Sequence, residues 1–286
     1  NVILQVYAFK HPAYMDSSEK DLTTIDTIIN KRDPKNNFGL SRALVVYVVK
    51  SPKKGVEYAL QFLLNCNGRE AENFFLFLYD DNVETIYDEI KTLCLQGTIR
   101  FDISYPIERC LNEIFKREES AIILEYLVKR FEYKRKSVIS DKSILSYDFV
   151  PEGRHSHLMD GIEEHRKHEL FESALEWFVD ASFEPIDFIY VKDLLEYLKQ
   201  TKFITDNLIA IFNKLTEKYH DKKNKIGRLL DGLAIFHDKD ERLLSLILNI
   251  FDKGYLLTDG DEEFLKELRY KTYAAITTVG VKSGTA

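Results

Sequence analysis

Apolar residues along this chain recur mostly at spacings of three and four, the period of helices with one buried face. Leu22, Ile25, Ile28 and Ile29 make one such stripe, which Ser17 or Ser18 can cap and the Asp33-Pro34 step ends. Val56, Ala59, Leu60, Leu63 and Leu64 make another, opened at Ser51-Pro52 and broken at Asn67-Gly68. Residues 70–79 give a further helix. Asn82 is expected to cap the next, which carries Val83, Ile86, Ile90, Leu93 and Cys94 and ends at Gly97. The pattern resumes after Pro106 with Ile107, Cys110, Leu111, Ile114 and Phe115, then with Ile122, Ile123, Tyr126, Leu127 and Phe131.

The second half repeats the pattern more cleanly. Leu170, Phe171, Ala174, Leu175 and Phe178 share one face, as do Phe188, Val191, Leu194, Leu195 and Leu198 after Pro185. Thr205 caps a helix with Leu208, Ile211, Phe212 and Leu215. Residues 226–236 and 241–251 form the next pair, with Lys253-Gly254 expected as a C-terminal cap. Asp259 or Asp261 starts a last helix through Phe264 and Leu268 that extends towards Ala275.

Two segments resist this reading. Residues 2–9 suit either a short strand or the end of a helix. The run Leu44, Val45, Val46, Tyr47, Val48, Val49 has the β-branched content of a buried strand. A lone strand would leave its backbone edge groups unpaired, and no partner strand is in sight, so a helix is expected there against local propensity.

Helices of this length with short joints lie antiparallel to their neighbours. Onsets near 185, 205, 224 and 240 give helical pairs of roughly 35–40 residues, the size of helical repeats. The expected fold is therefore all-α, an irregular helical-pair array that resembles HEAT and armadillo α-α superhelices, with a compact helical bundle as the alternative. Residues 136–154 lack sustained periodicity and contain Pro151 and Gly153. They read as an irregular joint between an N-terminal helical subdomain, 1–135, and a repeat-like C-terminal one, 155–286.

Composition supports this picture. Six prolines and twelve glycines among 286 residues are too few for a turn-rich sandwich or barrel. Hydrophobic types at 45% and charged types at 30% place the chain among ordered globular proteins. The 19 Phe and 16 Tyr are read mainly as core filling. Net charge is −7; residues 1–150 hold 21 basic and 22 acidic side chains against 19 and 25 in residues 151–286. That balance disfavours nucleic acid and anionic membrane as partners. Cys66, Cys94 and Cys110 lack metal-ligand spacing and read as buried thiols of a reducing, cytoplasmic compartment. Residues 1–9 lack the pattern of a secretion signal, and no apolar stretch nears the roughly 20 residues needed to span a bilayer. The starting Asn1 suggests an excised domain or a processed or incomplete chain, and a domain of a larger intracellular protein is the expectation.

Candidate chemistry is sparse. His155, His157, His165 and His168 lie close in sequence beside Asp160, Glu163, Glu164 and Glu169, a mixture suited to zinc or iron, although a charged solvated helix face explains it too. His237-Asp238, after an apolar run, resembles the doublet of the metal-dependent phosphohydrolases named for that pair. The resemblance covers only those two residues and the run before them, and implies a metal-dependent hydrolase. A helix end followed by an Asp cap is the simpler reading. No glycine-rich phosphate loop, Gly-x-Ser-x-Gly, His-Glu-x-x-His or Cys-x-x-Cys occurs, and no cofactor is expected. Basic residues cluster at Lys129, Arg130, Lys134, Arg135 and Lys136, and again at Lys218, Lys222, Lys223, Lys225 and Arg228. Interleaved Glu132, Glu217 and Asp221 weaken both as nucleic-acid tracks. The sequence thus points to a non-catalytic binding or scaffolding domain for a protein partner or another domain of the same chain, met through Arg130, Arg135 and Lys136; the alternatives are a metal-dependent hydrolase using the histidine-rich segment or His237-Asp238, and a nucleic-acid-binding helical domain.

Overall fold

A computed structural model describes residues 27, 37–99, 103–140, 149–151, 158–160, 162–180, 188–201, 204–219, 229–230, 233, 241–257 and 262–283. Among these, every regular element is helical. Cα packing divides the chain into two compact units, Asn1–Ile162 and Glu163–Ala286.

The first unit is built from α1 (Asn37–Lys50), α2 (Pro52–Asn65), α3 (Gly68–Asp80), a 3-10 turn (Glu84–Ile86), α4 (Tyr87–Leu95), α5 (Tyr105–Phe115) and α6 (Ser120–Ser140). The β-branched run is helical, as expected. Every residue from 39 to 48 of α1 is buried, so this helix is enclosed on all sides and its stability comes from packing rather than propensity. Two buried polar residues anchor it. Arg42 ion-pairs with Asp81 and lies 5.1 Å from the centre of the Phe77 ring, while Ser41 Oγ donates to the Glu70 carbonyl at 3.2 Å.

Between α1 and α2 the chain turns within one residue. Pro52 has no N–H to continue the helical ladder and sits in the first turn of α2, where that loss is harmless. Ser51 takes φ −141° and ψ 74°, and its N–H closes on the Tyr47 carbonyl at 2.8 Å. The buried face of α2 is Gly55, Ala59, Phe62 and Leu63, displaced from the expected stripe: Leu64 is 40% exposed. The shift follows Gly55, whose missing side chain allows the close approach to α1.

Asn82 has a different role from the one its type suggested. It closes α3 instead of capping α4, with φ 51° in the left-handed region. Val83 N–H donates to the Leu78 carbonyl at 3.1 Å and Asn82 N–H to that of Tyr79 at 3.1 Å, the paired bonds of a left-handed helix stop. Gly97, φ 66°, ends α4 as expected, with Thr98 N–H on Leu93 and Gly97 N–H on Cys94. The first-unit core is rich in rings: Phe115 and Tyr126 stack at 4.1 Å, and Phe74, Phe75, Phe131 and Phe149 are fully buried.

The second unit comprises α7 (Glu164–Asp180), α8 (Phe188–Thr201), α9 (Asp206–Tyr219), α10 (Glu241–Leu257) and α11 (Glu262–Ser283), with Leu229, Leu230 and Leu233 also helical and buried. α7 packs on α8 and α9, α9 on α10, and α10 on α11. Thr205 caps α9 as expected, its Oγ accepting from Leu208 N–H at 3.0 Å. Lys218 of α9 donates to the Phe178 and Val179 carbonyls, so part of the second basic stretch serves the C-terminal end of α7. Gly254 does not stop its helix: α10 continues to Leu257, the cost of a single helical glycine being modest.

Residues 2–9, the stripe at Leu22 to Ile29 apart from helical Thr27, residues 141–148, Lys222, Lys223, Lys225, Arg228 and the caps Asp259 and Asp261 lie outside the described residues. Among those described, no helix is long and apolar enough to cross a membrane.

Candidate functional site

The three cations expected to meet a partner, Arg130, Arg135 and Lys136, sit on one helix, α6. Arg130 is 3% exposed. Its Nε ion-pairs with Glu108 of α5, and its Nη1 donates to the Phe149 carbonyl at 3.2 Å. Its charge therefore ties α5, α6 and the 149–151 segment together inside the first unit, and Phe149 lies beside Phe131 at 5.4 Å between ring centres. Buried Tyr126 and Leu127, one turn back, place Arg130 on the inward face of α6. Arg135 and Lys136 lie on the last turns of α6, and their side chains are outside those described.

The histidines divide. His165 is exposed and its Nδ1 lies 3.3 Å from Glu163. His168 is buried, with Nε2 2.9 Å from Glu172 Oε1 one turn along α7. Glu172 also accepts from Thr205 Oγ and, at 3.2 Å, from Asn207 Nδ2. The result is a buried polar clamp between α7 and the start of α9, each partner meeting part of the carboxylate's hydrogen-bonding capacity. Among the described residues no group of three or more His, Cys, Asp or Glu side chains is placed to hold a metal ion. His155, His157, His237 and Asp238 lie outside the described residues.

The cysteines also part company. Cys94 and Cys110 are buried on α4 and α5, and burial pushes the Cys94 thiol up to about 12 and the Cys110 thiol upward as well, with the Glu113 charge adding to the latter. Cys66 is half-buried at the end of α2. Because the thiolate is the reactive form, iodoacetamide at neutral pH should label Cys66 in the folded protein and spare Cys94 and Cys110 until denaturant is added. Peptide mapping reads the outcome; rapid native labelling of Cys94 would contradict its burial.

One small apolar pocket lies among α2, α3 and α4, lined by Leu63, Leu64, Phe75, Ile90, Leu93, Thr98 and Ile99. With about 10 Å³ open to water it has room for about one molecule of it, and offers no convergent polar groups.

The conspicuous surface is on α11. Leu268, Thr272 and Ala275 face inward, while Tyr270 and Tyr273 are 75% and 74% exposed. Three residues apart, the two rings share a helix face. The apolar period of the sequence marks the Leu268 stripe and does not by itself single out these rings. The available signal was their placement between the buried positions, opposite that stripe. Lys266, Ala274 and Thr277 are exposed on the same helix. No known protein family, curated protein or solved structure matches this chain.

Proposed function

We propose that this chain is a helical binding domain that recognises a protein partner through the outer face of α11. The observation that carries this reading is the pair Tyr270 and Tyr273, each about three-quarters exposed on one face of α11. Tyrosine supplies a large, rigid, amphipathic contact at low entropic cost and is enriched where proteins meet. Lys266 and Thr277, one turn beyond either ring, supply the polar rim of such a patch.

The architecture proposed to carry this surface is the helical-pair array. Its support lies in the first unit, where packing follows two rows: α1 on α3 on α5, and α2 on α4 on α6, with α1–α2, α4–α5 and α5–α6 cross-contacts. Stacked helical pairs produce such alternating rows, and arrays of that kind present long surfaces for partners.

A photo-crosslinking residue at position 273 tests the contact, with one at exposed Lys214 on α9 as the control. The proposal expects a discrete, saturable adduct from position 273, competed by unlabelled protein and absent from position 214. Equal or no adducts at the two positions would remove its basis.

A further inference from the structure

Among the thirteen asparagines, Asn67 is the one followed by glycine. That step joins α2 to α3, with Asn67 exposed and Gly68 the first residue of α3. We propose that Asn67 is a site of spontaneous deamidation, and that its isoaspartate product unseats the start of α3.

The reaction needs an electrophilic side-chain carbonyl, a main-chain nitrogen able to reach it, and space for a ring. Asn67 Oδ1 accepts from Glu70 N–H at 3.0 Å. That donor polarises the Cγ–Oδ1 bond and stabilises charge developing on oxygen during attack. The Gly68 nitrogen is at the first helical position, where an N–H has no acceptor within its own helix and so is not held in the ladder. Nothing lies within 4 Å of the position a Cβ on Gly68 would occupy, so no neighbouring element crowds the step and the fold does not require glycine there.

The Gly68 nitrogen bonds to Asn67 Cγ, and ammonia leaves carrying the proton from that nitrogen. The resulting succinimide takes up one water. Opening at the side-chain carbonyl gives aspartate with the main chain intact. Opening at the main-chain carbonyl gives isoaspartate, in which the chain runs through the former side chain and gains a methylene.

The two products differ in what they leave of the cap. Asn67 forms a reciprocal box with Glu70, whose Oε2 accepts from Asn67 N–H at 2.9 Å. Aspartate keeps an acceptor oxygen there and adds negative charge at a helix start, where it is favourable. Isoaspartate has no side chain of the right length to return to Glu70 N–H. The loss is felt inside the unit, because Glu70 is buried, its carbonyl receives Ser41 of α1, and α3 carries the core residues Phe74, Phe75 and Leu78.

The test is prolonged incubation of the whole protein in mildly alkaline buffer, followed by peptide mapping by mass spectrometry. Conversion at Asn67 is expected to exceed that at Asn65, Asn73 and Asn82 by about an order of magnitude, because glycine alone leaves the attacking nitrogen unhindered. Gly68→Ala, which fits the open space, should suppress it to the level of those neighbours while keeping the melting temperature. The isoaspartate-containing fraction should melt below both fresh protein and Asn67→Asp. Conversion no faster than at the other asparagines, or unchanged in Gly68→Ala, would overturn the site. An isoaspartate fraction melting with the fresh protein would overturn the structural consequence.

Discussion

Gly55→Ala should destabilise the first unit by at least ~3 kcal/mol, at or beyond the upper end of ordinary overpacking costs. A Cβ at position 55 would stand 2.5 Å from the Tyr47 carbonyl oxygen and 2.5 Å from Val48 N and Cα. All three are backbone atoms, so no rotamer change relieves the clash; α1 and α2 must part. Their separation would unpack a helix buried from residue 39 to 48 and disturb the Tyr47–Tyr58 stack, whose rings lie 5.7 Å apart. Such a loss consumes a large part of the roughly 5–15 kcal/mol that holds a typical domain folded. Urea unfolding followed by circular dichroism measures it, with Gly68→Ala as the paired control for adding a methyl group where there is space. Equal stability of the two variants would mean that α1 and α2 are not packed as described.

The second large effect is expected at Arg130. Arg130→Ala removes a guanidinium that serves Glu108 and the Phe149 carbonyl from a buried position, and breaking one side of such a pair costs about 3–5 kcal/mol. Arg130→Lys should recover only part of this, since an ammonium keeps the charge and loses the planar, multiply donating geometry. A double-mutant cycle with Glu108→Gln measured in urea should show strong coupling; additive losses would mean that the pair is not formed. Charge reversal at Arg130 therefore reports on folding, and recognition at the end of α6 is a question for Arg135 and Lys136.

What the sequence disclosed depended on how locally each feature was encoded. Core stripes such as Ile107–Cys110–Leu111–Ile114–Phe115 were legible because burial and helical period coincide along a single element. The helicity of the β-branched run was accessible only by asking where a strand would find a partner. Gly55, Asn82 and Gly254 were opaque for a common reason: a glycine or asparagine carries no apolar signal, and its role depends on what packs against the backbone. A contact with α1 keeps Gly55 small, a left-handed φ makes Asn82 a stop, and the helical cost of Gly254 is too small to end α10. The candidate site was harder still. A cluster of basic residues does not reveal that Arg130 faces Glu108 across two helices, and a Tyr-x-x-Tyr pair does not announce its face until the inward stripe of α11 is fixed by Leu268, Thr272 and Ala275.

The claim that the outer face of α11 recognises a protein rests most directly on the dissociation constant of a crosslinked partner for the wild type and for Tyr270→Ala/Tyr273→Ala. Both rings are largely solvent-exposed, so the double substitution should leave the helical circular-dichroism signal and the melting temperature intact. If the rings are the anchors of the interface, affinity should fall by about a hundredfold, the effect of a hot spot of roughly 2–3 kcal/mol. A dissociation constant within about twofold of wild type, in a variant that is fully folded, would contradict the account.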